Sequence, residues 1–291
     1  MTPPLLQVKN LRVAFRGERG EVPAVRGVSF SLGREKLGIV GESGSGKSTI
    51  GRAILRLLPE SARITAQRLA FEGQELLELP PQAMRNLRGQ RITMIMQDPR
   101  FSLNPVLRIG DQIAETLRVH GVGGRGSELR QRVLEVLSAV QIRDPERVYR
   151  AYPHELSGGM GQRAMIAMML ISDPALLIAD EPTSALDVTV RREILAIMDR
   201  LVSDRGTGLI LISHDLNLVA GFCDRVLILY AGRVVEEIEA SRLQECRHPY
   251  SRGLLASLPL LERPREQLAT LQRDPAWLEG PVYRFGQEVR E

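Results

Sequence analysis

The chain has 291 residues, 43% hydrophobic and 25% charged, proportions that exclude a disordered or fibrous protein and allow one large domain or two smaller ones. Only 4% is aromatic, so the core must be mostly aliphatic. A formal net charge of +4 suits nucleotide, membrane headgroups or nucleic acid and selects none of them.

Residues 5–15 alternate apolar and polar (Leu6, Val8, Leu11, Val13, Phe15) and predict an edge strand, followed by a second strand over 25–32. The apolar run Lys36-Leu37-Gly38-Ile39-Val40 is a third strand. It leads into Gly41-Glu42-Ser43-Gly44-Ser45-Gly46-Lys47-Ser48-Thr49, then a helix carrying Ile50, Ala53, Ile54 and Leu57 on one face. A further strand is expected over 64–71, a short surface helix over 82–91 and a buried strand over 91–97. Helices follow over 109–120, 127–140 and 157–171. The strand pattern returns at 175–180, with a helix over 188–203, a strand over 208–213 and a hairpin of 225–230 with 233–238. From Ala240 the chain holds Pro249, Pro259, Pro264, Pro275 and Pro281 and is read as partly helical at best. Apolar strands flanked by helices predict an α/β protein with a mainly parallel sheet covered on both faces. A small antiparallel sheet would sit near its N-terminus, and a helical insertion would interrupt the core.

The stretch 41–49 carries the most chemistry. Its pattern, G-x-x-x-x-G-K-[ST], is the phosphate-binding loop of nucleotide triphosphatases. A triphosphate presents many anionic oxygens, and backbone N–H groups must approach them closely. Gly41, Gly44 and Gly46 permit that approach, Lys47 supplies the cation, and the Ser48 hydroxyl is a candidate Mg²⁺ ligand. Ser43, Ser45 and Thr49 complete the cradle. Asp180, ending an apolar strand, is a second Mg²⁺ candidate, and its neighbour Glu181 is the candidate general base for an attacking water. An acidic cap before Pro182-Thr183 is the plainer alternative for that pair.

Leu156-Ser157-Gly158-Gly159-Met160-Gly161-Gln162-Arg163 resembles the signature of the ATP-binding cassette (ABC) ATPases. The resemblance covers about residues 6–238. It implies a P-loop fold with a nucleotide-binding domain over 1–240, a helical subdomain inserted at about 99–171, and a C-terminal extension over 241–291. It also implies that Ser157, Gly158 and Gly159 cap the γ-phosphate of ATP held by a partner subunit, in a head-to-tail dimer. Gln97 then matches the loop that senses Mg²⁺, Asp187 ends the loop crossing the dimer interface, and His214 contacts the γ-phosphate. Phe15 sits where the family stacks an aromatic on adenine, against the alternative of an ordinary strand-face phenylalanine.

Within the family, three stretches are similar to the oligopeptide and dipeptide importers, a branch that includes nickel and metallophore importers. They are Gln97-Asp98-Pro99 with Ser102-Leu103-Asn104-Pro105, Tyr152-Pro153-His154-Glu155 running into Leu156–Met160, and Ala185-Leu186-Asp187-Val188-Thr189-Val190, to which the tail adds His248-Pro249-Tyr250-Ser251-Arg252-Gly253-Leu254-Leu255. The resemblance implies an ATPase subunit using ATP and Mg²⁺ at the cytoplasmic face of the inner membrane. Its partners would be two permease subunits, a second and different ATPase subunit, and an extracytoplasmic binding protein. Di- or oligopeptides are the expected cargo, with nickel or a metallophore as the alternative. The rival reading, a soluble ABC ATPase acting on nucleic acid or ribosomes, is opposed by the single cassette and short insertion; no nucleic acid partner is expected.

Gly161 stands where this branch carries Arg. Cys223 and Cys246 form no cluster by spacing, so no iron–sulfur centre is expected in the tail. No signal peptide or membrane helix is expected either. The methionines at 94, 96, 160, 165, 168 and 169 read as core filler. The loop over 98–105, with Phe101 and Leu103 exposed, is the expected docking surface for a permease.

Overall fold

The computed structural model describes residues 3–18, 20–96, 102–122, 124, 126–184, 186–257 and 274–284. The chain divides into two compact units, residues 1–77 with 211–291, and residues 78–210.

In the first unit, β1 (Leu6–Gly17) and β2 (Gly20–Leu32) form a long antiparallel hairpin. β1 is not the edge strand its alternation suggested. β4 (Ala62–Thr65) and β5 (Arg68–Phe71) fold back onto its other side, both antiparallel, and β6 (Gln74–Glu75) extends β5. The single strand expected over 64–71 is thus two, broken where Gln67 N–H turns aside to donate to the Lys9 carbonyl at 2.9 Å. The alternation of β1 also slips between Val8 and Leu11. Asn10 there has φ +52 and its N–H donates to Ser29 Oγ at 2.8 Å, a bulge that moves the buried set from even to odd positions.

β3 (Lys36–Val40) lies parallel to β10 (Arg225–Tyr230), which pairs antiparallel with β11 (Arg233–Glu239). The tail adds β12 (Tyr283–Arg284) parallel to β11. Helix α1 (Lys47–Ile54) follows β3, and α8 (Leu216–Phe222), capped by Asp215, packs on β3. That packing uses the absence of a side chain at Gly38, where a Cβ would lie 2.1 Å from Val219 Cγ1 and 3.3 Å from Cys223 Sγ. Gly38→Ala should therefore lower stability by about 1–3 kcal/mol, the usual cost of overpacking, read as a fall in Tm; an unchanged Tm would show that α8 lifts freely.

In the second unit, β7 (Ile92–Ile95) and β8 (Leu176–Asp180) are parallel, and all nine of their residues are buried. Helices α2 (Pro81–Leu87), α3 (Ile109–Val119), α4 (Ser127–Ala139), α6 (Gly158–Leu170) and α7 (Val188–Arg205) match expectation. The short α5 (Pro145–Arg150) was not expected, although Asp144 capping with Pro145 in the first turn is a helix-start signal. The chain passes from one unit to the other within β9 (Gly208–Ser213).

Candidate functional site

In the first unit, residues 41–46 join β3 to α1 as a closed turn. A Cβ on Gly41 would lie 2.3 Å from the Leu229 carbonyl oxygen, and one on Gly46, at φ +95, would lie 2.5 Å from that of Ala24. Only glycine lets the loop sit this close to β10 and β2. Lys47 is 5% exposed because its side chain folds back into the turn, where Nζ donates to the carbonyls of Gly41 and Glu42, both at 2.8 Å. Ser45 N–H donates to the Glu42 carbonyl at 3.1 Å, and Gly232 N–H donates to the Ser45 carbonyl at 2.8 Å. The Ser45 hydroxyl is buried with no hydrogen-bond partner among the described residues. A buried orphan hydroxyl beside a buried ammonium, at the positive end of a helix dipole, fits a phosphate chain. Ser43 and Gly44 are exposed at the loop crest, and Ser48 and Thr49 are half-buried in the first turn of α1.

Phe15 is half-buried on β1 opposite Val22, which is 60% exposed, so the two offer an apolar step on which an adenine could rest. His214 is exposed just past β9, ahead of the α8 cap.

In the second unit, Ser157 caps α6, its Oγ accepting from Met160 N–H at 3.4 Å, and Ser157 and Gly158 are exposed. A Cβ on Gly158 or Gly161 would meet no heavy atom within 4 Å. Gly158 and Gly161 are therefore not required by packing among the described residues, whereas a Cβ on Gly159 would lie 3.0 Å from Val190 Cγ1. Asp180 ends β8 at 4% exposure. Glu181 follows at φ +47, a left-handed conformation uncommon for a residue with a Cβ. Gln162, 1% exposed on α6, donates through Nε2 to the Pro182 carbonyl and so ties the α6 helix to the Asp180–Glu181 turn. Asp187 caps α7, with Oδ1 accepting from Thr189 and Val190 N–H, both at 3.0 Å. Gln97, with Asp98, Pro99, Phe101 and Ala185, lies outside the described residues.

The ABC transporter family profile matches residues 25–184, a span that holds the phosphate loop, the α6 tip and the Asp180–Glu181 pair. The chain is 49% identical over 265 residues to the probable peptide ABC transporter ATP-binding protein y4tR of Sinorhizobium fredii, covering 90% of this chain and 79% of that protein.

The chain belongs to the ABC transporter family.

The oligopeptide transport ATP-binding protein OppD of Escherichia coli is 45% identical over 93% of this ABC chain and 80% of its own length, and that of Bacillus subtilis is 45% identical over 95% and 78%. Among solved structures, a dimeric bacterial ABC transporter cassette superposes with a TM-score of 0.72 at 28% identity, covering 81% of this chain and 98% of that one. A dimeric post-hydrolysis cassette with ADP and phosphate bound gives 0.72 at 27% identity, with the same coverage. This ABC protein is an ATPase with the P-loop ABC fold.

Two parts of the reading need revision. Leu103, expected on the surface, is 4% exposed. Gln112 cinches the loop onto α3: its Oε1 accepts from Asn104 N–H at 2.8 Å, and its Nε2 donates to the carbonyls of Asn104 at 3.0 Å and Leu107 at 2.9 Å. The apolar surface here is instead Val106, 75% exposed, and Leu107, 40% exposed. Among the methionines, Met94 and Met165 are buried, but Met96 is 39% exposed. The described residues contain no group of three or more His, Cys, Asp or Glu placed to hold a metal ion, and no helix long and apolar enough to cross a membrane. Burial pushes the Cys223 thiol up to about 12, with Asp224 adding to the rise, and burial raises Cys246 to about 11, so both are unreactive at neutral pH.

Proposed function

We propose that this protein is one of two different ATPase subunits of a peptide importer, working at the cytoplasmic face of the inner membrane with two permeases and an extracytoplasmic binding protein. The observation that carries the reading is the phosphate loop already folded around buried Lys47, with an unpartnered Ser45 hydroxyl inside it. The peptide import named for its relatives, at 45–49% identity over most of the chain, supports the cargo class.

Lys47 and the amides of residues 43–49 hold the phosphate oxygens, and Phe15 with Val22 carries the adenine. Ser48, Asp180 and Gln97 are the residues that would hold Mg²⁺, which when bound supplies neutralising charge on those oxygens. Glu181 takes a proton from the attacking water, and His214 donates to the γ-phosphate. Ser157, Gly158 and Gly159, at the exposed tip of α6, face the nucleotide of the sibling subunit, with Asp187 beside that interface. Closure of the dimer follows from tighter ATP binding in the closed form.

Val106 and Leu107 are the permease contact. In the reconstituted complex, Val106→Asp with Leu107→Asp should leave ATP binding intact and reduce ATP-driven uptake of labelled peptide by about tenfold or more, the effect of placing charge in an apolar contact. Full uptake by this variant would remove the contact. Absence of ATP-dependent peptide uptake in the unaltered complex would overturn the cargo.

A further inference from the structure

We infer that Tyr250 is a positioning residue for ATP binding, through which the C-terminal segment braces the phosphate loop. The inference rests on the reading of residues 41–49 as the triphosphate cradle and adds to it a residue far away in sequence.

Tyr250 stands at 0% exposure in α9 (Pro249–Ala256), yet its hydroxyl reaches the loop and accepts a hydrogen bond from Glu42 N–H at 3.1 Å. The Glu42 carbonyl in turn accepts from Lys47 Nζ at 2.8 Å. One residue of the loop is thus pinned at both ends, by the tail on its N–H and by the phosphate-binding cation on its C=O. The orientation of that backbone sets where Nζ rests.

The tail is built to hold the hydroxyl there. Glu236, 3% exposed on β11, accepts from the N–H of Arg247 at 2.6 Å and of His248 at 3.2 Å, which fixes the start of α9. His248 Nδ1 then accepts from Tyr250 N–H at 3.1 Å. That bond requires an unprotonated Nδ1, and burial with nearby Arg233 lowers the imidazole to about 4. Of the chain's five tyrosines and one tryptophan, four gather here: the Tyr250 ring lies 4.8 Å from that of Tyr230 and 5.8 Å from that of Trp277, and Tyr283 lies 5.4 Å from His248. Arg233 donates to the carbonyls of Leu278 and Gly280, holding the segment that carries Trp277 over the tyrosine. An aromatic-poor chain has spent most of its large polar rings on fixing one hydroxyl against the loop.

The test is Tyr250→Phe in the full chain, which keeps the ring and removes only the hydroxyl. ATP affinity and KM should weaken by about fivefold, the usual worth of one buried hydrogen bond, with kcat within twofold and Tm little changed. Trp277, the only tryptophan, provides a second readout. Its emission should shift on ATP binding in the wild type and lose most of that shift in Tyr250→Phe. His248→Ala, which loosens Tyr250 without touching its hydroxyl, should weaken ATP in the same direction, and His248→Asn, which restores an acceptor, should recover part of it. Saturable ATP binding by the wild type with unaltered KM and an unaltered Trp277 response in Tyr250→Phe overturns the brace alone. Absence of wild-type binding overturns the cradle reading and the brace together. A fall in Tm without any change in KM would assign Tyr250 to stability only.

Discussion

Lys47→Ala should weaken ATP binding by about 10²–10³-fold, as for removal of one partner of a buried charged contact, and reduce hydrolysis to background. The geometry explains why the loss is large while the fold survives. Lys47 is buried, its charge desolvated but satisfied by the carbonyls of Gly41 and Glu42 at 2.8 Å. Those bonds fix the cation inside the turn, where it can meet phosphate oxygens. Truncation removes both the cation and the cost of burying it, and Tm should change little. Lys47→Arg is not a conservative replacement, because a planar fork cannot occupy the space of a point charge between two carbonyls. Titration with a fluorescent ATP analogue, with Tm measured alongside, checks both halves. Affinity within threefold of wild type in Lys47→Ala would remove the loop from the nucleotide site.

The parts of this molecule legible in the sequence are those whose physics is local. The phosphate loop is a contiguous run in which each residue type answers a local need, and the structure closes that run around Lys47. The alternation of β1 likewise announced a strand, but not that 62–65 and 68–71 would both return to its far side, because pairing partners leave no mark on a strand's own pattern. Leu103 looked exposed between prolines. Its burial depends on Gln112, one helical turn into α3, folding its amide back over the loop. Tyr250 is the furthest case: the tail motif was visible as a resemblance, but its contact with Glu42 spans 208 positions and has no sequence signature. Gln162 carried a signal that was passed over, since a glutamine on the core face of a helix must find a buried acceptor, which here is Pro182 C=O. That bond joins α6 to the turn that follows Asp180 and Glu181, within one unit.

Glu181→Gln should bind ATP as well as wild type, lower kcat by about 10²–10⁴-fold as for loss of a general base, and accumulate a closed, ATP-loaded dimer with the sibling subunit. The substitution conserves shape and hydrogen-bonding reach and removes only the capacity to take a proton. Backbone strain is a competing account, because Glu181 sits at φ +47, where a residue with a Cβ pays about 1–2 kcal/mol. The same turn is closed by Ser184 N–H donating to the Glu181 carbonyl at 3.2 Å, and Asp180 beside it is buried. Gln carries the same backbone cost as Glu, so an effect of strain alone would leave Glu181→Gln active. Glu181→Gly relieves the strain and also removes the carboxylate. If the carboxylate is the base, both variants are slow and only the glycine variant gains Tm; if strain does the work, only the glycine variant is slow. Single-turnover hydrolysis, size-exclusion chromatography with ATP and Tm measured on the pair separate the two accounts. Wild-type turnover in Glu181→Gln would take the proton transfer away from this residue and place it elsewhere in the site.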